Sequence, residues 1–219
     1  WLREKVLLAP ATTQCTVPKG VFPGEGAMLR VIAYGNELNL VHPPRPADPR
    51  SPAAVEMIFA AKGRPERMAL PLIAADRRSV LECVREFSDA AERLASAFWP
   101  GALTLVLPAS PSLPPRLLGN GHSVGIRISP HPVAAALAEA FGSAIVATSA
   151  NRSGQPAPMT AHDVHQALGE EVALILDGGP TQGGHASTVL DLTTDPPRVV
   201  RAGAIPLTAI EHALGRRLG

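Results

Sequence analysis

Hydrophobic and polar residues follow two different periods along most of the chain. Short apolar or alternating runs bounded by turn residues predict strands, and apolar residues spaced three and four apart predict helices. The predicted strands are residues 29–34, 70–75, 103–107, 124–128, 144–148, 172–176, 188–192 and 198–201, and the predicted helices are 52–62, 89–98, 132–141, a short one after Thr160, and 207–217. Because strands alternate with helices and no internal repeat is present, we expect one α/β domain.

The ends of several predicted helices carry recognisable capping residues. Ser51 and Ser88 stand at N-cap positions, and Thr160 is followed three residues later by Asp163, close to a capping box. Gly63 and Gly142 stand where a left-handed residue commonly ends a helix. These residues fix the expected helix limits more firmly than the apolar pattern alone.

The first fifty residues are organised differently. Residues 8–27 show no clean period, and residues 35–52 are loop-like, with prolines at positions 43, 44, 46, 49 and 52. We therefore expect regular helices and strands mainly after about residue 50.

Composition excludes several classes of protein. The chain has 219 residues, of which 46% are hydrophobic and 18% charged, as in a soluble globular protein. Twenty Lys and Arg against nineteen Asp and Glu give no bulk basic field for nucleic acid. No apolar run approaches the ~20 residues of a membrane span, and the first residues lack a signal-peptide layout, so a cytoplasmic location is expected. Cys15 and Cys83 are too few for a disulfide framework or a four-ligand zinc site.

No standard nucleotide-binding or hydrolase motif is present, but four features could carry chemistry. The Lys62–Pro65 turn either ends a helix, with Lys62 complementing the helix dipole, or grips phosphates with two cations. The polar stretch 147–154 is either an ordinary turn or a ligand loop at the carboxyl end of a strand. The glycine-rich stretch 177–188 favours a hairpin or an anion-binding nest.

Two arginines in strand-like runs form the fourth feature. Arg127 and Arg201 stand among apolar neighbours, so each needs a partner, which is either a structural carboxylate or an anionic ligand. His162 and His165 are three apart on a predicted helix, but no third ligand of fitting spacing accompanies them, so no metal site is predicted.

Taken in order, these segments resemble the YrdC/TsaC family of threonylcarbamoyl-AMP synthases. The resemblance rests on KGRP (62–65), FWPGALTLVL (98–107), VGIRISPHP (124–132), ATSANRSGQP (147–156), LDGGP (176–180), GHASTVLD (184–191) and RAGAI (201–205). It implies a single α/β domain over residues 48–219, with a twisted mixed sheet flanked by helices and a large concave cavity. Residues 1–47 would be a divergent N-terminal segment of unassigned fold.

The resemblance also implies a reaction. Members of this family convert ATP, L-threonine and bicarbonate to threonylcarbamoyl-AMP and pyrophosphate, a nucleotidyl transfer that supplies the t6A modification of tRNA. ATP is then a substrate, Mg²⁺ arrives with it, and tRNA, double-stranded RNA and t6A-transferase proteins are the expected partners.

The family motifs assign roles to eight residues of this chain. Lys62 and Arg64 match the K-x-R pair, on the nucleotide phosphates, and are the expected catalytic residues. Ser123, Asn151 and Arg201 would also contact ATP. Arg127, Ser149 and Ser187 would bind threonine.

Some family positions differ in this chain. A PTETVYGL-type segment of the threonine pocket is absent after the first strand. Leu70 and Ala75 replace an expected asparagine and a common histidine, and Met159 replaces a hydroxyl residue beside Thr160. The ATP half of the site is thus better matched than the threonine half.

Three alternatives follow from these differences. The chain could be a YrdC-like RNA- or nucleotide-binding protein without full synthase activity, or a paralogue with a changed amino-acid substrate. The return of family character at Asp48 also suggests a frameshift in the preceding region. The related carbamoyl-transfer proteins of hydrogenase maturation carry zinc-finger and acylphosphatase modules that a chain of 219 residues with two cysteines does not hold.

Overall fold

The computed structural model describes residues 31–33, 48–172, 174–177, 180 and 186–219. The helices are α1 (Pro52–Lys62), α2 (Arg77–Cys83), α3 (Asp89–Phe98), α4 (Pro132–Phe141), α5 (Ala161–Leu168) and α6 (Leu207–Leu214). The strands are β1 (Val31–Ala33), β2 (Leu72–Ala74), β3 (Leu103–Pro108), β4 (Ser123–Ile128), β5 (Ile145–Val146), β6 (Leu174–Leu176), β7 (Thr188–Asp191) and β8 (Arg198–Arg201).

A six-stranded mixed sheet with the order β5-β2-β4-β3-β7-β8 organises the fold. The β2–β4 and β3–β7 pairs are parallel, whereas the β2–β5, β3–β4 and β7–β8 pairs are antiparallel. Strands β1 and β6 form a separate parallel pair. The predicted α/β class with a mixed sheet and flanking helices is therefore confirmed.

The hydrophobic core lies on one face of the central strands. Leu103, Leu105 and Leu107 of β3 are at most 1% exposed, and Val124 and Ile126 of β4 are equally buried. Because side chains alternate along a strand, the residues between them project to the other face, which carries polar groups. Each buried leucine contributes about 1.5–3 kcal/mol of hydrophobic free energy, so this alternation fixes the register of both strands.

The predicted capping residues agree with the structure, but the final helix, predicted over residues 207–217, ends at Leu214 because Gly215 takes the left-handed conformation. The Ser51 side chain accepts a hydrogen bond from the Ala54 amide, and the Thr160 and Asp163 side chains form a complete capping box. Gly63 ends α1 in the left-handed conformation, with φ +56°. Helix α2, which ends at Cys83 and is not among the predicted helices, begins after Asp76, whose carboxylate caps it and whose pKa is lowered by hydrogen bonds from Ser79.

Two predicted features fall outside the described residues. These are most of the N-terminal segment, residues 1–30 and 34–47 with Cys15, and most of the glycine-rich stretch, residues 178–179 and 181–185. Of the predicted first strand, Val31–Ala33 is described, and it pairs with Leu174–Leu176.

Candidate active site

The end of helix α1 is fastened to the polar loop that follows strand β5. Lys62 is 1% exposed, and its Nζ donates to the backbone carbonyl of Asn151 at 2.6 Å and also to the carbonyl of Ser149. The Lys62 carbonyl accepts in turn from the Ser153 amide at 2.7 Å. The predicted K-x-R and S-x-N segments are therefore in direct contact, although 89 residues separate Lys62 from Asn151.

Burial changes the protonation of Lys62. Desolvation, with a smaller contribution from the nearby Arg64 charge, lowers the pKa of Lys62 from 10.5 to about 8. Burial also lowers the pKa of Arg64. Two cations held close together in a partly dry environment favour an anionic ligand, because the ligand would relieve their mutual repulsion.

Arg64 closes the turn that follows helix α1. Its Nε donates to the Met68 carbonyl at 3.1 Å, and its Nη2 donates to the Ala69 carbonyl at 2.8 Å. A guanidinium has five N–H donors, so these bonds leave others for a ligand. The half-buried Arg64 is thus held in a defined orientation by its own turn.

Asn151 lies at the edge of a cleft with a volume of about 490 Å³. Its Nδ2 donates to the Gln155 carbonyl at 2.5 Å, which fixes the orientation of the amide. The other amide atom, Oδ1, is buried and has no hydrogen-bond partner within the described part of the chain. The cleft is also lined by Pro156, Pro158 and Met159, so a polar acceptor sits beside an apolar wall.

The polar face of the sheet collects most of the other predicted residues. Ser123, Gly125 and Arg127 alternate with the buried residues of β4. Thr104 of the neighbouring strand β3 lies on the same face, since an ideal Cβ on Gly125 would be 3.4 Å from its Cγ2. Thr104 pairs with Val189, which pairs with Arg201. With strands about 4.8 Å apart, β4 and β8 are roughly 14 Å apart, a span suited to an extended anionic ligand.

Ser187 joins Thr104 to Arg201. The Ser187 Oγ lies 2.9 Å from the Thr104 Oγ1 and accepts from the Arg201 Nη2 at 3.0 Å. The Ser187 carbonyl also accepts from Arg201, from Nη2 at 2.8 Å and from Nε at 3.1 Å. Arg201 was expected to face a structural carboxylate or an anionic ligand, but its hydrogen-bond partners among the described residues are the hydroxyl and the carbonyl of Ser187.

The comparison with protein families decides the identity of the domain. The Sua5/YciO/YrdC family model, described as "Telomere recombination", matches residues 46–203. The chain belongs to the Sua5/YciO/YrdC family. The predicted resemblance is thereby confirmed.

Two relatives in this family are named threonylcarbamoyl-AMP synthase. The chain is 42% identical over 162 residues to threonylcarbamoyl-AMP synthase of Pyrococcus abyssi, an alignment that covers 74% of this chain and 48% of the relative. It is 38% identical to the threonylcarbamoyl-AMP synthase of Chromobacterium violaceum, covering 78% of this chain and 86% of that one. The chain thus spans about half the length of the P. abyssi relative and most of the C. violaceum one.

A solved structure of the Sua5/YciO/YrdC family has the same fold. The crystal structure of P. abyssi Sua5 complexed with L-threonine matches with a TM-score of 0.79 and 37% identity, over 86% of this chain and 55% of that one. Among the described residues, no helix is long and apolar enough to cross a membrane.

Three positions depart from the motifs of the Sua5/YciO/YrdC family, and the structure shows what occupies them. Leu70 is 1% exposed, and its amide donates to the Leu117 carbonyl at 2.9 Å. Ala75 is half-buried directly after β2, and Met159 is 49% exposed at the cleft. Leu70 therefore serves the core, whereas Met159 faces the space where a ligand could lie.

One site residue was missed by sequence reasoning. Thr104 stands in the LTLVL strand, where it was treated as part of an apolar run. The available signal was its alternation with Leu103 and Leu105, which places it on the polar face. Conversely, His162 and His165 are exposed on α5, and the described residues contain no group of three or more His, Cys, Asp or Glu arranged to hold a metal ion.

Proposed function

We propose that this chain forms threonylcarbamoyl-AMP and pyrophosphate from L-threonine, bicarbonate and ATP, and thereby supplies the t6A modification of tRNA. Its similarity to proteins named threonylcarbamoyl-AMP synthase supports this proposal. The observation that carries it is the contact of Lys62 with the loop Ser149–Asn151, because it brings a cationic turn against a polar loop whose Asn151 lines a cleft.

At the nucleotide end, positive charge is the main requirement. The carbamate oxygen of threonine attacks the α-phosphorus of ATP, the bond from that phosphorus to the bridging oxygen breaks, and pyrophosphate leaves with the electron pair. Arg64 and Lys62 neutralise the charge that builds up on the phosphates. Asn151, Ser123 and Arg201 hold the rest of the nucleotide.

At the amino-acid end, orientation is the main requirement. Arg127 binds the threonine carboxylate through its fork, and the hydroxyls of Ser149 and Ser187 align the molecule. The neutral threonine amine attacks the bicarbonate carbon, a C–O bond of bicarbonate breaks, and the released hydroxide leaves with the amine proton as water, which gives the carbamate. Because carbamates decompose in water, holding both reactants close together protects the intermediate and raises the rate.

Mg²⁺ belongs to the substrate in this proposal. The side chains assigned to the substrates are cations, hydroxyls and an amide, whereas Mg²⁺ takes carboxylates from proteins. The carboxylate that lines the cleft, Asp163, accepts hydrogen bonds from the Met159 and Thr160 amides at the start of α5. We therefore assign the Mg²⁺ to the phosphate oxygens of ATP, where it neutralises charge. The expected partners are tRNA and the proteins that transfer the threonylcarbamoyl group, in the cytoplasm.

The decisive experiment measures pyrophosphate release from ATP by the purified chain. Threonine and bicarbonate are added singly and together, with the Asn151→Ala variant as the control. Release that requires both co-substrates, and that falls strongly in the variant, supports the synthase. Release that is independent of threonine contradicts it.

The differences from the family motifs in the threonine-binding half of the site favour a second function. The absence of the PTETVYGL-type segment and the presence of Leu70 and Met159 fit a nucleotide- or RNA-binding protein that does not complete the reaction. ATP binding without pyrophosphate release in the same experiment would support this function. Retained binding to a double-stranded RNA oligonucleotide at about 0.15 M salt would extend it to RNA, because purely electrostatic binding weakens steeply with salt.

A further inference from the structure

Thr104 is a buried hydroxyl in the site that none of the motifs assigns. It is 5% exposed on β3, and its methyl group faces Gly125, where an ideal Cβ would lie 3.4 Å away, in van der Waals contact. The Thr104 Oγ1 lies on the other side, 2.9 Å from the Ser187 Oγ.

The bonds around Ser187 limit where its proton can point. A serine hydroxyl has two acceptor positions and one donor. Arg201 has no acceptor, so its Nη2 must donate to the Ser187 Oγ. Either hydroxyl of the Thr104–Ser187 pair can be the donor. With Thr104 as the donor, both acceptor positions of Ser187 are used, and the Ser187 proton is free to point to a ligand.

We propose that Thr104 is a positioning residue that, together with Arg201, directs the Ser187 hydroxyl toward the amino-acid substrate and links the two substrate subsites. This proposal rests on the proposed function, which gives Ser187 to threonine and Arg201 to ATP. A nucleotide that orders Arg201 then also orders Ser187, and the reverse holds for threonine. Such a link makes the two substrates bind cooperatively, with the same factor in each direction.

The test compares Thr104→Val, which removes the hydroxyl at almost constant shape, with Thr104→Ser, which keeps it. Thr193→Val is the matched control, because that exposed hydroxyl bonds only to Asp191 in the described part of the chain, at 2.6 Å. Calorimetry measures threonine affinity with and without an ATP analogue that is not hydrolysed. Circular dichroism and the melting temperature establish that each variant is folded.

We expect the nucleotide to tighten threonine binding at least about fivefold in the wild type, the low end of typical coupling. Thr104→Val should reduce this factor to about twofold or less, and Thr104→Ser and Thr193→Val should keep it. A folded Thr104→Val protein with wild-type cooperativity overturns the proposal, as does a wild type without cooperativity.

These outcomes separate this proposal from the proposed function. Threonine-dependent pyrophosphate release without cooperative binding leaves the synthase standing and overturns the role of Thr104. If the wild type binds both substrates cooperatively but releases no pyrophosphate, and Thr104→Val loses the cooperativity, the role of Thr104 is supported and the synthase is overturned. A wild type that binds neither substrate overturns both.

Discussion

The Nζ of Lys62 donates a hydrogen bond of 2.6 Å to the carbonyl of Asn151. This bond ties the last residue of helix α1 to a loop 89 positions later in the chain. The motif lysine therefore organises the loop of the motif asparagine, besides any contact with the nucleotide. Its two carbonyl bonds use two of the three ammonium donors, which leaves one for a phosphate.

Stability should depend on pH through Lys62. The pKa of this lysine is about 8 in the folded protein and 10.5 when exposed, so between these values the unfolded chain binds a proton that the folded protein does not. The free energy of unfolding should therefore rise with pH across this window. Below about pH 8 both states are protonated, and the contribution of Lys62 is constant.

Lys62→Met isolates this contribution. Urea unfolding at about pH 7.5 and 9.5 should show the wild type gaining on the order of 1–2 kcal/mol relative to the variant. The comparison between the two proteins removes the effect of other titrating groups. An equal pH dependence in both would contradict the lowered pKa of Lys62.

Arg64→Ala should weaken ATP use strongly. The variant loses a charged fork and opens the turn that Arg64 closes through the carbonyls of Met68 and Ala69. Charged hydrogen bonds contribute about 1.5–3 kcal/mol, so kcat/KM for ATP should fall roughly ten- to hundredfold. Arg67→Ala, at an exposed arginine of the same turn, is the control and should keep nearly full activity. If Arg64→Ala kept wild-type turnover, Arg64 would not be a residue that binds the ATP phosphates.

Asn151→Ala should reduce ATP affinity with little loss of stability. The Oδ1 atom is buried without a partner in the described residues, so its removal costs the free protein nothing and costs the complex a hydrogen bond. The lost bond from Nδ2 to Gln155 sets the stability change at about 1 kcal/mol. ATP titration and thermal unfolding measure the two effects, with Gln166→Ala on α5 as an exposed amide control. A large drop in stability with unchanged affinity would refute the ligand role.

The strand and helix pattern was predictable because it depends on local alternation and capping. Ser51, Ser88 and Thr160 cap the helices that follow them, as their residue types predict. The Thr104–Ser187 contact was not predictable in this way, because it joins residues 83 positions apart. Such contacts depend on strand order, which period and propensity do not determine.

The division of substrates between residues is another point that the sequence left incomplete. The motifs give Ser187 to threonine and Arg201 to ATP, so a change at Ser187 is expected to raise the threonine requirement more than the ATP requirement. The structure places the two side chains in direct contact, with Nη2 of Arg201 3.0 Å from the Ser187 Oγ. Residues assigned separately by motif are thus physically coupled.

Ser187→Ala should therefore impair the use of both substrates. Loss of the hydroxyl removes its proposed contact with threonine, of about 1 kcal/mol, so the KM of threonine should rise roughly fivefold. It also removes one bond to Arg201 and the bond to Thr104, which loosens Arg201. The KM of ATP should rise by a smaller factor, because Arg201 keeps its bonds to the Ser187 carbonyl. Steady-state kinetics test this expectation, with Ser110→Ala, in an exposed serine pair, as the control. An unchanged KM of ATP would mean that Arg201 does not depend on the Ser187 hydroxyl.

Gly203→Ala should displace the backbone of the segment that carries Ser187. A Cβ on Gly203 would lie 2.2 Å from the Ala186 carbonyl oxygen and 2.6 Å from the Thr188 nitrogen, so the segment that carries Ser187 must move. We expect a loss of several kcal/mol, since rigid backbone cannot yield as a flexible side chain does. Gly142→Ala is the control: it has nothing within 4 Å of the added Cβ and bears only the strain of its positive φ, about 1 kcal/mol. Denaturant unfolding and threonine KM measure both variants, and equal stabilities would show that the 186–188 segment can shift without cost.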